Sequence, residues 1–140
     1  MILFCDTSAL VKLYVREDGT DAVSEQAAAS EIVAVCRIAW VEIMSAMARR
    51  SREQPQDAAA IAKARQQFAT DWPHYFTVEL TKELTELAGD YTDAFALRAC
   101  DSVQLAAAQT LNREARGQVR FACFDGRLTK AAKVLGIEPA

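Results

Sequence analysis

The chain has 140 residues, with 16 basic and 19 acidic side chains and a formal net charge of −3 at pH 7. This length is typical of a single domain, and 51% hydrophobic with 25% charged residues is typical of a globular protein with its own core. Five glycines and three prolines are too few for a collagen-like, linker-rich or disordered chain. Because no stretch approaches the ~18 apolar residues of a transmembrane helix, we expect no membrane partner.

The amino terminus, the cysteines and the glycines exclude further classes of protein. Residues 1–6 lack a basic region and reach an acid at Asp6, unlike a signal peptide. The four cysteines contain no C-x-x-C pair, so we expect free thiols in a cytoplasmic protein rather than a disulfide framework. The glycines contain no G-x-G pair, which excludes dinucleotide and P-loop fingerprints. The single histidine, His74, excludes a histidine-rich zinc site.

Four short apolar runs predict β-strands, and helical patterns lie between them. The predicted strands are residues 2–5, 32–36, 76–80 and 119–124. The predicted helices are residues 8–15, 20–30, 38–52, 57–72, 81–91, 98–116 and 129–135. This alternation predicts an α/β fold, a single domain over residues 1–140 with a central parallel sheet of four to five strands and helices on both faces. In such a sheet, ligands bind outside the carboxyl ends of the strands, where the strand order reverses.

Two acids directly follow predicted strands. Asp6 comes after the first strand, and Asp125 comes after the last. Each also fits an ordinary structural role, Asp6 as the N-cap of the next helix and Asp125 in an Asp-Gly turn. Together they predict two carboxylates at one edge of the sheet.

Two further acids lie within largely apolar helices. Glu42 and Ser45 are the only polar residues between positions 38 and 47, so we expect a buried helix here. The carboxylate of Glu42 then needs a basic partner, hydrogen bonds or a metal. Asp101 lies in a similar segment, where it could instead cap the helix start, in capping-box spacing with Gln104, or pair with Arg98.

These four carboxylates could converge on one pocket. Without a cation they would repel one another and raise each other's pKa. An all-oxygen, acid-rich site selects Mg²⁺ or Mn²⁺, and such ions activate water and stabilise a pentacoordinate phosphate. The chemistry that fits this set best is phosphodiester hydrolysis.

The ordered motifs resemble those of PIN-domain ribonucleases, specifically the VapC-type toxins of bacterial toxin–antitoxin pairs. The motifs are Asp6-Thr7-Ser8-Ala9-Leu10, Glu42-Ile43, Arg98-Ala99-Cys100-Asp101 with Leu105-Ala106-Ala107-Ala108, and Phe124-Asp125-Gly126-Arg127-Leu128. They span nearly the whole chain. One departure is Cys123, because many relatives carry Thr or Ser two residues before the fourth acid, and we therefore expect weaker support of Asp125.

The resemblance implies a site, a reaction and partners. The residues that would be catalytic and hold Mg²⁺ or Mn²⁺ are Asp6, Glu42, Asp101 and Asp125. Thr7 or Ser8 would offer a hydroxyl or backbone group near the metal, and Arg98 would support Asp101. The resemblance also implies endonucleolytic cleavage of RNA to a 5′-phosphate and a 3′-hydroxyl. It further implies a homodimer and a cognate antitoxin whose C-terminal segment occupies the groove.

RNA binding by an acidic chain requires a local basic surface. Residues 113–133 carry six basic against two acidic residues, whereas residues 79–101 carry six acidic against two basic residues. We expect a basic rim beside the acidic pocket, with Arg120, Arg127 and Lys130 as candidate RNA contacts. A solvated helix face is the alternative interpretation of these residues. No aromatic platform for stacking a base is evident in the sequence.

Other functions and a partner surface stay open at this point. The same chemistry could serve RNA maturation or DNA processing without an antitoxin, or the fold could be a non-catalytic binding module. Six apolar residues of the third and fourth predicted helices could form a dimer seam or antitoxin groove, or belong to the core: Ile38, Trp40, Met44, Met47, Ile61 and Phe68.

Overall fold

Apolar runs and helical segments alternate along the chain in the computed structural model, which describes residues 1–140. The strands are β1 (Ile2–Cys5), β2 (Ile32–Cys36), β3 (Phe76–Val78), β4 (Val119–Ala122) and β5 (Glu138–Pro139). The α-helices are α1 (Thr7–Leu10), α2 (Thr20–Ala29), α3 (Ala39–Glu53), α4 (Ala58–Asp71), α5 (Lys82–Ala94), α6 (Ala99–Glu114) and α7 (Gly126–Val134). Short 3₁₀ turns cover Val11–Leu13, Pro55–Asp57 and Trp72–His74.

The five strands form one sheet in the order β3-β2-β1-β4-β5, and every pairing is parallel. β1 is central, with Leu3 beside Val33 of β2 on one side and Arg120 of β4 on the other. The chain fills the sheet outward from β1 in both directions, so the strand order reverses between β1 and β4. The predicted parallel sheet is confirmed, and the fifth strand, β5, consists of two exposed residues without an apolar run to reveal it.

Helices cover both faces of the sheet, as predicted. On one face, α5, α6 and α7 pack against Phe4 and Phe121, whose rings stack with centroids 5.9 Å apart. On the other face, α1 to α4 pack against Leu3 and Val35. Successive strand residues point to opposite faces, so β1, β2 and β4 each supply both cores. The helices are either too short or too polar to cross a lipid bilayer.

The turn after β4 begins earlier than the apolar run suggests. β4 ends at Ala122 rather than at residue 124, because the N–H of Phe124 leaves the sheet and donates to Ser8 Oγ at 3.0 Å. α7 then begins at Gly126 rather than at residue 129, because Asp125 caps it. Both differences arise from side-chain hydrogen bonds that a hydrophobicity pattern does not contain.

Two other boundaries also differ from prediction. β3 ends at Val78 rather than at residue 80, because the carbonyl of Glu79 accepts from the N–H of Thr81 at 3.1 Å, at the N-cap of α5. The first predicted helix, residues 8–15, is a short α-helix followed by a 3₁₀ turn.

α3 is amphipathic, so the expectation of a helix buried on every side was wrong. Ala39, Ile43 and Met47 form a buried stripe, whereas Val41 is 62% exposed. These buried residues are four positions apart, and only their stripe of the helix faces the sheet. Glu42 lies beside that stripe and is partly buried.

Candidate active site

Two of the predicted carboxylates flank the point where the strand order reverses. Asp6 directly follows β1, and Asp125 follows the Cys123–Phe124 turn after β4. β1 and β4 are neighbours, and their last residues, Cys5 and Ala122, are paired. In open parallel sheets, the crevice outside these strand ends is the usual place for a ligand.

Asp6 is 4% exposed and is the N-cap of α1. Its Oδ1 accepts the N–H of Ala9 at 3.0 Å and the hydroxyl of Ser8 at 2.7 Å. Both bonds end on Oδ1, which leaves Oδ2 without a hydroxyl or backbone donor. Burial raises the pKa of Asp6, hydrogen bonds from Cys123, Ser8 and Ala9 lower it, and the charge of Asp101 raises it again.

Asp101 lies in the first turn of α6, where the positive end of the helix dipole favours a carboxylate. Arg98 Nε is 3.8 Å from Asp101 Oδ2, so the predicted pair is present, although the exposed Arg98 makes it a weak one. Burial, and then the charge of Asp125, raise the pKa of Asp101, while Arg98 lowers it. Asp101 also raises the pKa of Asp6, so its charge interacts with those of both Asp6 and Asp125.

Glu42 is compensated by hydrogen bonds rather than by a basic partner. Its Oε1 accepts the Thr7 hydroxyl at 2.8 Å and the Gln104 amide Nε2 at 2.8 Å. Gln104 Nε2 also lies 3.0 Å from Thr7 Oγ1. These bonds connect α3 on one face of the sheet with α6 on the other, across the carboxyl end of β1.

The capping-box interpretation of Asp101 and Gln104 was wrong. The N-cap position of α6 is Arg98, and no side chain caps this helix start. The Gln104 amide is used by Glu42 and Thr7 instead, which makes it a site residue that the sequence interpretation missed. Its signal was present, because a glutamine within an apolar helix segment needs hydrogen-bond partners once buried, and Gln104 is 2% exposed.

Asp125 supports the start of α7 as well as the site. Its Oδ1 accepts the N–H of Leu128 at 3.0 Å, and its own N–H donates to Cys123 Sγ at 3.3 Å. Burial, followed by the charge of Asp6, raises the pKa of Cys123 to about 12. The thiol is therefore protonated at neutral pH and lies between Asp6 and Asp125, at the position where we expected weaker support.

The donor set fits a hard divalent cation that keeps much of its hydration. The carboxylates offer oxygen donors, the type that Mg²⁺ and Mn²⁺ prefer. No three Asp, Glu, Cys or His side chains stand close enough to form a ready-made metal cage. Mg²⁺ commonly binds through one or two carboxylates plus water and substrate phosphate, so a ready-made cage is not required.

The predicted basic contacts lie at different ends of the sheet. Arg127 and Lys130 are exposed on α7, the helix that Asp125 caps, and Arg127 Nη1 donates to a backbone carbonyl before α6 at 3.4 Å. Arg120 lies near the amino end of β4, where its guanidinium donates to two backbone carbonyls at 3.2 and 3.4 Å. The structure therefore brings Arg127 towards the carboxylates and keeps Arg120 away from them.

Sequence comparison places the chain in a known family. A profile of the PIN domain matches residues 3–134. The chain is 30% identical over 139 residues to ribonuclease VapC45 of Mycobacterium tuberculosis, an alignment that covers 99% of this chain and 94% of that protein.

Two solved structures share the fold at lower sequence identity. Mycobacterium tuberculosis VapC20, a sarcin-ricin loop cleaving toxin, superposes with a TM-score of 0.64 at 18% identity, over 92% of this chain and 94% of that one. A toxin–antitoxin complex from Klebsiella pneumoniae superposes with a TM-score of 0.62 at 18% identity, over 89% of this chain and 87% of that one. The profile and the curated relative both span almost all of the sequence, and the architecture agrees with them. The chain therefore belongs to the PIN domain family, and within it to the VapC ribonucleases.

Proposed function

We propose that this protein is an Mg²⁺- or Mn²⁺-dependent endoribonuclease that uses Asp6, Glu42, Asp101 and Asp125 to hydrolyse RNA phosphodiester bonds. One observation carries this proposal. Asp6 and Asp125 follow the neighbouring strands β1 and β4, where the strand order reverses, Asp101 lies in the first turn of α6, and Glu42 accepts from Thr7, the residue after Asp6. None of these four acids has a strong basic partner. Acids gathered in this way favour a cation, and the oxygen donors fit a hard one.

The bound ion would lower the pKa of a water and stabilise charge on the phosphate. The residues of this chain orient the carboxylates for that task. Ser8 and Ala9 hold one oxygen of Asp6, while Thr7 and Gln104 hold one oxygen of Glu42. The second oxygen of Glu42 is left for the ion or for its water, and the second oxygen of Asp6 has no hydroxyl or backbone donor.

The helix starts at this edge favour an anionic substrate. α6 begins close to Asp101 and α7 begins after Asp125, so the positive ends of both helix dipoles lie at the crevice. Arg127 and Lys130 add positive charge on α7. We propose that these groups position the RNA backbone, which fits a substrate recognised partly through its phosphates.

We also propose that a cognate antitoxin and a second copy of the chain bind this protein. The Klebsiella pneumoniae relative of the same fold is a toxin–antitoxin complex, which supports an antitoxin here. Of the six apolar residues considered for a dimer seam, Met47, Ile61 and Phe68 are buried in the core. Trp40 and Met44 instead line a surface groove of about 650 Å³ between α3 and α4, which supports a protein partner there.

Four free cysteines support a cytoplasmic location, where thiols stay reduced.

The direct test is RNA cleavage and growth arrest by the wild type and by Asp6→Asn. We expect the wild type to cleave cellular RNA with Mg²⁺ or Mn²⁺, to stop with EDTA and to arrest growth on expression. Asp6→Asn should lose both effects by at least about a hundredfold, because it removes charge from the site and keeps the acceptor for Ala9. Asp18→Asn, at an exposed turn residue, is the matched control and should behave as wild type.

Two outcomes would contradict the proposal in different ways. Full toxicity of Asp6→Asn would remove the catalytic assignment. Cleavage in vitro without growth arrest would remove the toxin assignment and favour a nuclease of RNA maturation or DNA processing.

A further inference from the structure

The turn between β4 and α7 presents an aromatic ring beside the carboxylates. Phe124 is 50% exposed and directly precedes Asp125. Its N–H donates to Ser8 Oγ at 3.0 Å, and the same Ser8 hydroxyl donates to Asp6 Oδ1 at 2.7 Å. The backbone of Phe124 is therefore tied to the first catalytic carboxylate through one side chain.

The exposed ring is also held firmly from one side. A Cβ on Gly19 would lie 2.7 Å from Phe124 Cε1 and 2.9 Å from Cζ, so the ring packs directly on the glycine backbone. Lys12 Nζ lies 4.5 Å from the centre of the ring, and this ammonium is fixed by Glu17 at 2.8 Å. The ring is thus positioned by the segment between α1 and α2, while the residue as a whole stays 50% exposed.

A fixed, half-exposed aromatic ring at this place is not explained by packing alone. The ring contacts Gly19 and Lys12 but belongs to neither core cluster of the sheet. Successive bases of single-stranded nucleic acids stack on aromatic rings of this kind. Because the ring is already fixed, binding a base costs little further conformational entropy. The sequence did not reveal this, because Phe124 looked like the last residue of a buried strand.

We propose that Phe124 is a stacking platform for one base of single-stranded RNA, next to the phosphate that would react at the carboxylate site. This inference rests on the proposed function and adds a contact to the base, beyond the contacts to phosphate. The contact tolerates any base, because every base has a flat π face, and it is stronger for purines, which have the larger face. Lys12 is paired with Glu17, so its part is to hold the ring in place.

The test is the affinity for fluorescein-labelled oligoadenylate, measured by fluorescence anisotropy with Ca²⁺ in place of Mg²⁺ and with intact RNA confirmed on a gel. Phe124→Leu keeps an apolar side chain without a π face and should weaken binding about tenfold. Phe124→Tyr keeps the ring and should bind within about twofold of wild type. Thermal unfolding of each variant checks that the fold is retained.

Phe76 provides a matched control. It is also 50% exposed, but it lies at the amino end of the edge strand β3, away from the carboxylates. Phe76→Leu should bind oligoadenylate as the wild type does. An abasic oligonucleotide of the same length should bind equally to wild type and Phe124→Leu, because it offers phosphates and no base.

Each remaining outcome counts against the inference. Equal binding of oligoadenylate by wild type and Phe124→Leu would overturn it. If Phe124→Leu lost as much affinity for the abasic oligonucleotide as for oligoadenylate, the inference would also fail, because the lost contact would then be to the RNA backbone. A wild type that binds none of these RNAs would overturn it as well. Failure of the proposed function is a separate result, namely Asp6→Asn cleaving RNA at the wild-type rate.

Discussion

At the scale of single residues, the four carboxylates are oriented by neighbouring groups that are mostly neutral. Hydroxyl, amide and backbone N–H donors contact Asp6, Glu42 and Asp125, and the exposed Arg98 is only a weak partner for Asp101. A buried arginine or lysine would neutralise the acids and compete with a cation. Neutral donors fix the side chains and leave their negative charge available to a cation.

Gln104 is the clearest example of a positioning residue, and its replacement is a specific prediction. Gln104→Leu keeps the volume but removes the two contacts to Glu42 and Thr7. We expect kcat to fall about 10- to 100-fold with little change in KM, because partners that orient metal ligands contribute about that much. Steady-state cleavage of one RNA substrate measures both constants.

Gln109 supplies the matched control for that experiment. It is also a buried glutamine of α6, and it makes no contact with Glu42. Gln109→Leu should keep the wild-type kcat. If both variants lost the same factor in kcat, cleavage would depend on any buried amide of α6 and not on the contact between Gln104 and Glu42.

The need of Glu42 for compensation could be predicted, but its partner could not. A carboxylate in an apolar helix segment requires some stabilising group, whichever fold contains it. Thr7 and Gln104 are 35 and 62 positions away from Glu42 along the chain, so only the folded sheet brings them together.

At the scale of elements, α7 depends on a residue that also belongs to the site. Asp125 caps the helix through Leu128, and its charge raises the pKa of Asp101. The predicted helix began at residue 129, because its apolar periodicity gives no sign of the cap that starts it three residues earlier. We therefore expect this one carboxylate to serve both stability and function.

Two substitutions of Asp125 separate these roles. Asn caps helices as well as Asp does, so Asp125→Asn should keep the free energy of unfolding within about 0.5 kcal/mol while cleavage is lost. Asp125→Ala should lose cleavage and also about 1 kcal/mol of stability. Urea unfolding together with the cleavage assay measures both effects.

Thr81 is the control for the cap. It caps α5 through Leu84 at 3.1 Å, away from the four acids. Thr81→Ala should lose about 1 kcal/mol of stability without losing cleavage. Full cleavage by Asp125→Asn would contradict the role of Asp125 in the site.

At the scale of the whole molecule, the sheet separates residues that are close in sequence. Arg113, Arg116 and Arg120 lie before or at the start of β4, whereas Arg127 and Lys130 follow its carboxyl end. β4 carries the chain across the sheet by about 13 Å, at about 3.3 Å per residue. The single basic rim predicted from residues 113–133 is therefore two separate basic groups.

This separation predicts which basic residues bind RNA. The double variant Arg127→Gln with Lys130→Gln should weaken RNA binding and reduce the slope of log affinity against log salt by about 1 to 1.5, given about 0.7 per phosphate contact on single strands. The double variant Arg113→Gln with Arg120→Gln should leave both unchanged. A larger effect of the second pair would place the RNA at the other end of the sheet.

The raised pKa values of Asp6 and Asp101 predict how stability varies with pH. The pKa of each acid in the folded state lies above its unfolded value of about 3.9. Their contribution to stability is therefore fully present below about pH 3.9 and is lost as the pH rises through the folded pKa. In EDTA, Asp6→Asn should therefore melt at a higher temperature than wild type at neutral pH, and the difference should shrink towards pH 4. At neutral pH, Mn²⁺ should reduce the difference in melting temperature between Asp6→Asn and the wild type, because it stabilises the charged wild type. A difference in melting temperature that does not depend on pH would contradict this prediction.

The fold class and the places of Asp6 and Asp125 after neighbouring strands could be predicted, because both follow from local patterns. Strand–helix alternation predicts a parallel sheet, and strand-terminal acids predict its carboxyl edge. The Phe124 platform and the Gln104 contacts could not be predicted, since they join segments that are distant in sequence. The fifth strand was not located, because the two residues of β5 are too few to form a pattern.

The most direct test of a shared carboxylate site is Mn²⁺ binding followed by EPR, on the wild type, Asp6→Asn, Asp101→Asn and the control Asp18→Asn. We predict saturable binding to the wild type and to Asp18→Asn that collapses in both site variants, because Asp6 and Asp101 contribute to one site from different elements. This measurement does not depend on knowing the RNA target. No binding at millimolar Mn²⁺ by a folded wild type, or wild-type binding by both Asp6→Asn and Asp101→Asn, would show that these acids serve only as helix caps and ion pairs.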